Sequence, residues 1–294
     1  MIDRGCVSLT DACNLRCRYC HFRDKQEAGT VMTREDAVGV VERINAYCHA
    51  QGLGTFKLGI VGAGEPLLEA ETLLAMLDCA LGDPSNAITF YTITNGTLAT
   101  REMLERLLPY REQLKVCFSL DGPKAVHEAG RASFERAMEG IANYRRVFGE
   151  SPSVNATVNL QTVLHAEEVL AFFESKGLKE VTFSRLVDCD DADLTITNEQ
   201  FVGFMVLAKD WGVASRQFRG EMSYDCTMYG RLCGVGRTNV FFTPVGIYPC
   251  GRFYRNERYR LGDFDSPLEE IEARTSLLDP VKDGKCFFDE RVKR

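Results

Sequence analysis

The segment DACNLRCRYCHF places Cys13, Cys17 and Cys20 in a CxxxCxxC spacing. Three thiolates from one short loop can hold three irons of a [4Fe-4S] cube and leave the fourth iron without a protein ligand. An iron with an open position can take a small molecule and do chemistry on it. From spacing alone, a zinc site and chance clustering remain open as alternatives. Structural zinc closes with four ligands, and the nearest fourth candidate, His21, adjoins Cys20 and is poorly placed to complete a tetrahedron. Four more cysteines, Cys226, Cys233, Cys250 and Cys286, come late in the chain.

The elements that must position the triplet read as an α/β fold. Short β-type runs at Val7 to Leu9, Phe56 to Val61, Ile88 to Ile93, Lys115 to Leu120, Val154 to Leu160 and Val181 to Ser184 alternate with helical patterns. Their β-branched and aromatic content suits strands, and the alternation suits a parallel sheet. Ala37, Val40, Val41, Ile44, Tyr47 and Cys48 share one helix face, as do Leu73, Leu74, Leu77 and Leu81, and Phe201, Phe204, Met205 and Ala208. Thr33 with Asp36, and Thr197 with Gln200, are expected caps. Right-handed crossovers would curl six such units into a partial (β/α)6 TIM-like barrel over 1–212, open at one side. A smaller module is expected over 213–294, with a hairpin at Asn239 to Thr243 and Ile247 to Tyr248 and a helix from Pro267 to Leu278.

Composition bounds the function. Hydrophobic residues make up 45% and charged residues 26%, enough for a sizeable core. A formal charge of -7 gives no basic footprint for nucleic acid. No apolar signal or spanning run is present, so the expected setting is cytoplasmic with no membrane partner. Twelve cysteines in a reducing compartment point to metal binding or catalysis rather than disulfides. Cys6, Cys48, Cys79 and Cys117 lie on apolar faces and read as core. Cys189, in LVDCDDAD after the sixth strand, is a candidate catalytic thiol. His49 and His165 read as ordinary surface or helix-end residues.

CNLRCRYCHF is similar to the signature of the radical S-adenosylmethionine (SAM) superfamily, and the resemblance runs along nearly the whole chain. It implies that SAM chelates the open iron and that one electron from the cluster yields a 5′-deoxyadenosyl radical. Gly62-Ala63-Gly64-Glu65-Pro66 resembles the family's GGEP motif, with Ala63 in place of a glycine, and small residues there would allow close approach to the methionine amino group. Asn95 ends the third strand, and Ser119 by resemblance sits near the SAM ribose. Tyr19 matches a position that packs on adenine, Leu186 an apolar adenine contact, and Arg131 the HDxxR stretch of related peptide-modifying enzymes. Taken singly, each of these is also an ordinary βα turn feature.

Cys226, Cys233, Cys250 and Cys286 resemble the ligands of one auxiliary [4Fe-4S] cluster in twitch and SPASM extensions, with TPVGIYPCG around Cys250 as the nearest match. A four-cysteine zinc site and unligated cysteines stay open. If only three bind iron, Cys226 is the one left over, a thiol able to donate hydrogen to a substrate. The SLDGP segment and the twitch-type cysteines resemble peptide maturases. They imply a peptide substrate undergoing cross-linking, epimerisation or oxidation, and an electron donor of flavodoxin or ferredoxin type. The first strand starts almost at once, with no N-terminal peptide-recognition domain, which weighs against the peptide reading; a separate peptide-recognition protein would be a further partner. The alternatives are a small-molecule enzyme, such as an aminocyclitol or sugar dehydrogenase, and a non-enzymatic iron–sulfur electron carrier.

Overall fold

A computed structural model describes residues 1–23, 29–178, 180–187, 189–222 and 234–276, together with the backbone of 281–282 and 285–286. Six strands run parallel: β1 (Arg4–Val7), β2 (Phe56–Ile60), β3 (Ile88–Thr94), β4 (Leu114–Ser119), β5 (Ser153–Val158) and β6 (Val181–Arg185). On the other side of β1, β7 (Asn239–Thr243) also pairs parallel, and β8 (Gly246–Tyr248) returns antiparallel to it. The order β6-β5-β4-β3-β2-β1-β7-β8 ends without closing a ring. The result is an incomplete barrel with an extension, in which the expected hairpin continues the main sheet.

Local chemistry accounts for the helices. Thr33 accepts from the Asp36 N–H to start α1 (Arg34–Gln51), and left-handed Gly52 ends it. The chain continues through α2 (Ala70–Gly82), α3 (Arg101–Leu107), α4 (Lys124–Gly130), α5 (Phe134–Phe148), α6 (Leu160–Leu164) and α7 (Ala166–Ser175). A capping box of Thr197 and Gln200 opens α8 (Asn198–Asp210), which buries Phe201, Phe204, Met205 and Ala208. The late helix, α9, is Leu268–Ser276. Leu81, expected on the buried face of α2, is 52% exposed; it lies about 80° around the helix from Leu73.

Two strands, β1 and β5, differ from expectation by more than one residue at an end. β1 begins at Arg4 and stops at Val7, because pairing with both β2 and β7 outweighs the weak strand preference of Arg4 and Gly5. β5 stops at Val158 because the Asn159 side chain turns back to cap α6.

Period-two alternation divides the strands. Phe56, Leu58, Ile60, Phe90, Val116, Phe118, Val154, Ala156 and Phe183 are buried in the large core with residues of the helices. The alternate positions, including Ser119, Asn155, Thr157 and Ser184, line a cavity inside the barrel. A second cluster of Phe22, Phe241, Tyr248, Phe253, Tyr254 and Tyr259 joins the extension to the loop after β1. No helix among the described residues is long and apolar enough to cross a membrane.

Candidate functional site

The C-terminal strand ends converge on a cavity of about 600 Å³. Cys13, Cys17, Cys20, Tyr19, Gly64, Glu65, Asn95, Ser119, Arg131 and Leu186 all line it, and so does Cys250 from the extension. Residues separated by more than two hundred positions thus share one space. Pro66 does not line it; it opens a 3-10 turn, Pro66–Glu69, just behind. Cys189 does not line it either, although it packs beside Leu15, Cys17 and Leu186. Cys6, expected to be core, does line the cavity, with its sulfur 3.4 Å from the Tyr91 hydroxyl. Gly59 makes that pairing possible, because a Cβ there would lie 2.4 Å from the Tyr91 ring.

Burial pushes the Cys17 thiol up to about 11, against the pull of the Arg131 charge, and burial raises Cys13 as well. Among the described residues, no three His, Cys, Asp or Glu side chains close on a point as the ligands of a single ion do.

Tyr19 is held from below. Its hydroxyl donates to Asp121 Oδ2 and accepts from Arg131 Nε at 3.0 Å, while the guanidinium lies 5.5 Å from the ring centroid. Asp121 is fully buried, and its other oxygen accepts the Thr157 N–H at 2.8 Å. Burial opposes the Arg131 charge, but Tyr19, Asp121 and Cys17 outweigh it and raise its pKa. Gly130 leaves room for the phenol ring, since a Cβ there would stand 2.4 Å from it.

Glu65 is consumed internally. Oε1 accepts from Thr94 Oγ1 at 2.6 Å and from Leu67 N at 3.2 Å, Oε2 accepts from Asn95 N at 2.8 Å, and the Glu65 N–H reaches Ala12 O. It therefore ties together the ends of β2 and β3 and the cysteine loop. Asn95 extends the tie, donating to Asn14 Oδ1 at 2.8 Å with its Nδ2 4.0 Å from Cys13 Sγ. The small residues before Glu65 have a reason within the protein. A Cβ on Gly62 would fall 2.0 Å from Ser8 Oγ, and one on Gly64 2.1 Å from Ala12 O.

The extension is fastened to the same loop. Asp11, fully buried two residues before Cys13, accepts from the Tyr254 hydroxyl at 2.9 and 2.8 Å and from Arg255 Nη2 at 2.7 Å. From sequence, Asp11, Asp121, Tyr254 and Arg255 have no role of their own, although the two aspartates lie within the quoted motifs DACNLRCRYCHF and SLDGP. Cys226 and Cys233 lie outside the described residues, as does the side chain of Cys286, whose backbone forms a two-residue strand with Lys285.

Comparison with known proteins decides the family. The model of the Radical SAM superfamily matches residues 7–181, more than half of the chain. The chain belongs to the radical SAM superfamily. Radical SAM membership carries SAM and [4Fe-4S] chemistry in general, and the protein is an enzyme. A curated relative, a GTP 3′,8-cyclase of Microcystis aeruginosa, is 28% identical over 270 residues, covering 86% of this chain and 77% of its own. Among solved structures, anSMEcpe with bound AdoMet and Kp18Cys peptide superposes with a TM-score of 0.77 at 21% identity, over 91% of this chain and 80% of that one. SuiB of Streptococcus suis bound to precursor peptide SuiA gives 0.71 at 15% identity, over 92% and 64%. At these identities the likeness is one of fold.

Proposed function

We propose that this radical SAM enzyme removes hydrogen from a peptide, leading to a cross-link, an epimerised centre or an oxidised side chain. The observation that carries the reading is the fold likeness to two structures holding peptides, which extends over 91% and 92% of this chain. In this reading Cys13, Cys17 and Cys20 hold the [4Fe-4S] cube; all three line one cavity, and three thiolates are the ligand set that leaves one iron of such a cube open. When bound, SAM and the cluster supply one-electron cleavage of a sulfonium, and hence a primary carbon radical able to take hydrogen from an unactivated carbon.

The chain's own residues do the rest. Tyr19, locked by Asp121 and Arg131, offers a fixed ring wall for the cofactor, and Leu186 a second apolar surface. Ser119, Asn95 and Arg131 supply polar contacts, and Gly64, Glu65 and Pro66 fix the loop beside the thiols. Cys250, with Cys226, Cys233 and Cys286, is assigned to one auxiliary [4Fe-4S] cluster. Cys226, if it is unligated, would return hydrogen to the substrate, and Cys189, which does not line the cavity, is the other catalytic candidate. A flavodoxin- or ferredoxin-type donor supplies the electron.

A second reading, a small-molecule substrate, draws on the 28% identity to a GTP 3′,8-cyclase across 86% of the chain. The two separate in one experiment. Reconstituted enzyme with SAM and dithionite is offered, in turn, the short peptides encoded beside its gene and GTP. A changed peptide mass or stereochemistry is expected. Unchanged peptides together with consumption of GTP would overturn the peptide reading.

A further inference from the structure

We propose that Asp11, Tyr254 and Arg255 form a clasp that fixes Cys250 in register with the Cys13–Cys20 loop, making Tyr254 a positioning residue for the chemistry between them. The clasp is buried at Asp11 and Tyr254, with Arg255 reaching in from the surface. The Asp11 carboxylate has no exposed surface; it shares the single Tyr254 hydroxyl hydrogen between its two oxygens and accepts from Arg255, the next residue of the extension. Arg255 also donates to Thr30 Oγ1 at 2.6 Å, and the Asp11 N–H donates to Thr30 O at 2.9 Å, so one guanidinium spans both ends of the loop. Its backbone sits at φ +62°, a conformation that non-glycine residues seldom adopt and that surrounding structure must enforce.

Aromatic packing follows the same line. The Phe22 ring, two residues after Cys20, lies 6.4 Å from Tyr254 and 6.5 Å from Phe241. Gly251, next to Cys250, has no space for a Cβ, which would meet Phe22 at 2.7 Å. Asp11 loses its water on burial while Arg255 keeps much of its own, so the ion pair adds little net stability and what it supplies is register. Two segments joined this way open together, as one cooperative unit.

The test is hydrogen exchange on the full chain, first free of iron. Tyr254→Phe keeps the ring and removes only the hydroxyl; Asp11→Asn keeps the shape and removes the charge. In both, exchange of the Asp11 and Met32 amides on one side and of the Phe253, Tyr254 and Asn256 amides on the other should rise together, by roughly tenfold. A rise confined to 253–256, or no rise, overturns the clasp. Because this arm needs no iron, its result stands apart from the cluster assignment on which the functional meaning of the clasp rests. After reconstitution with iron and sulfide, loading should slow exchange at 253–256 in the parent protein and leave it unchanged in Tyr254→Phe. Equal slowing in both would contradict the proposal.

Discussion

Tyr19 donates its phenolic hydrogen to Asp121, a carboxylate with no exposed surface that lies 102 positions further along the chain. The bond ties the middle of the cysteine loop to the end of β4. Burial, and then the Asp121 charge, hold the phenol far above its ordinary range despite the opposing Arg131 charge, so it remains a donor at any working pH.

Removing either partner has a different cost. Tyr19→Phe deletes the hydroxyl's two bonds, to Asp121 and from Arg131, but leaves those two charges facing each other, and should destabilise the fold by about 1.5–3 kcal/mol. Asp121→Asn leaves the buried Arg131 charge without its carboxylate, 3.6 Å away, and should cost more, about 3–5 kcal/mol. Thermal unfolding of the iron-free variants measures both; a smaller loss for Asp121→Asn would show that Arg131 does not depend on it.

Gly64→Ala drives a Cβ into the backbone oxygen of Ala12, which can yield only by moving the cysteine loop. The expected loss is about 1–3 kcal/mol, with reduced iron uptake on reconstitution. Gly203→Ala, in α8 with no atom within 4 Å of the new Cβ, should instead gain about 0.5–1 kcal/mol. Unfolding midpoints that fail to move in opposite directions would refute this reason for the glycine.

Glu65 links pH to stability. Burial raises its pKa above 4.5, although the Asn95, Thr94 and Leu67 hydrogen bonds pull the other way. A raised folded value means that this residue's stabilisation is full below 4.5 and declines as pH climbs through the folded pKa. Glu65→Gln cannot titrate. It should be less stable throughout, because an amide nitrogen faces the Asn95 N–H, but its deficit should shrink as pH rises from 4.5. Denaturant unfolding at a series of pH values checks this, and a constant deficit would rule it out.

The thiols should be slow before metal arrives. With Cys17 at about 11 and Cys13 also raised, little thiolate exists near neutrality, and the thiolate is the reactive form. Alkylation of iron-free protein by iodoacetamide, read by mass spectrometry, should be slower at Cys17 than at an unfolded cysteine and accelerate up to about pH 11. A fast, pH-independent reaction at neutral pH would contradict the burial described.

The triplet was legible because its members lie within eight residues of one another, and the strand ends because turn residues punctuate them. Thr33 and Thr197 likewise announced their helices locally. What stayed hidden was long-range. Asp11 meets Tyr254 across 243 positions, and no periodicity links them. The parallel pairing of β7 with β1 is equally silent, since a short hairpin reads the same whether or not it extends another sheet. The glycines before Glu65 were visible, but their packing against Ser8 and Ala12 was not. Cys6 packs against the aromatic cluster of the extension, as its apolar face suggests, and also lines the cavity, which alternation alone cannot foretell.

The most direct measurement is product analysis after anaerobic reconstitution with iron and sulfide and addition of SAM and dithionite. The expected result is 5′-deoxyadenosine from the parent protein and none from Cys13→Ala, Cys17→Ala or Cys20→Ala. Protein that takes up iron yet forms no 5′-deoxyadenosine, or a triplet variant that still forms it, would contradict the assignment of these three cysteines.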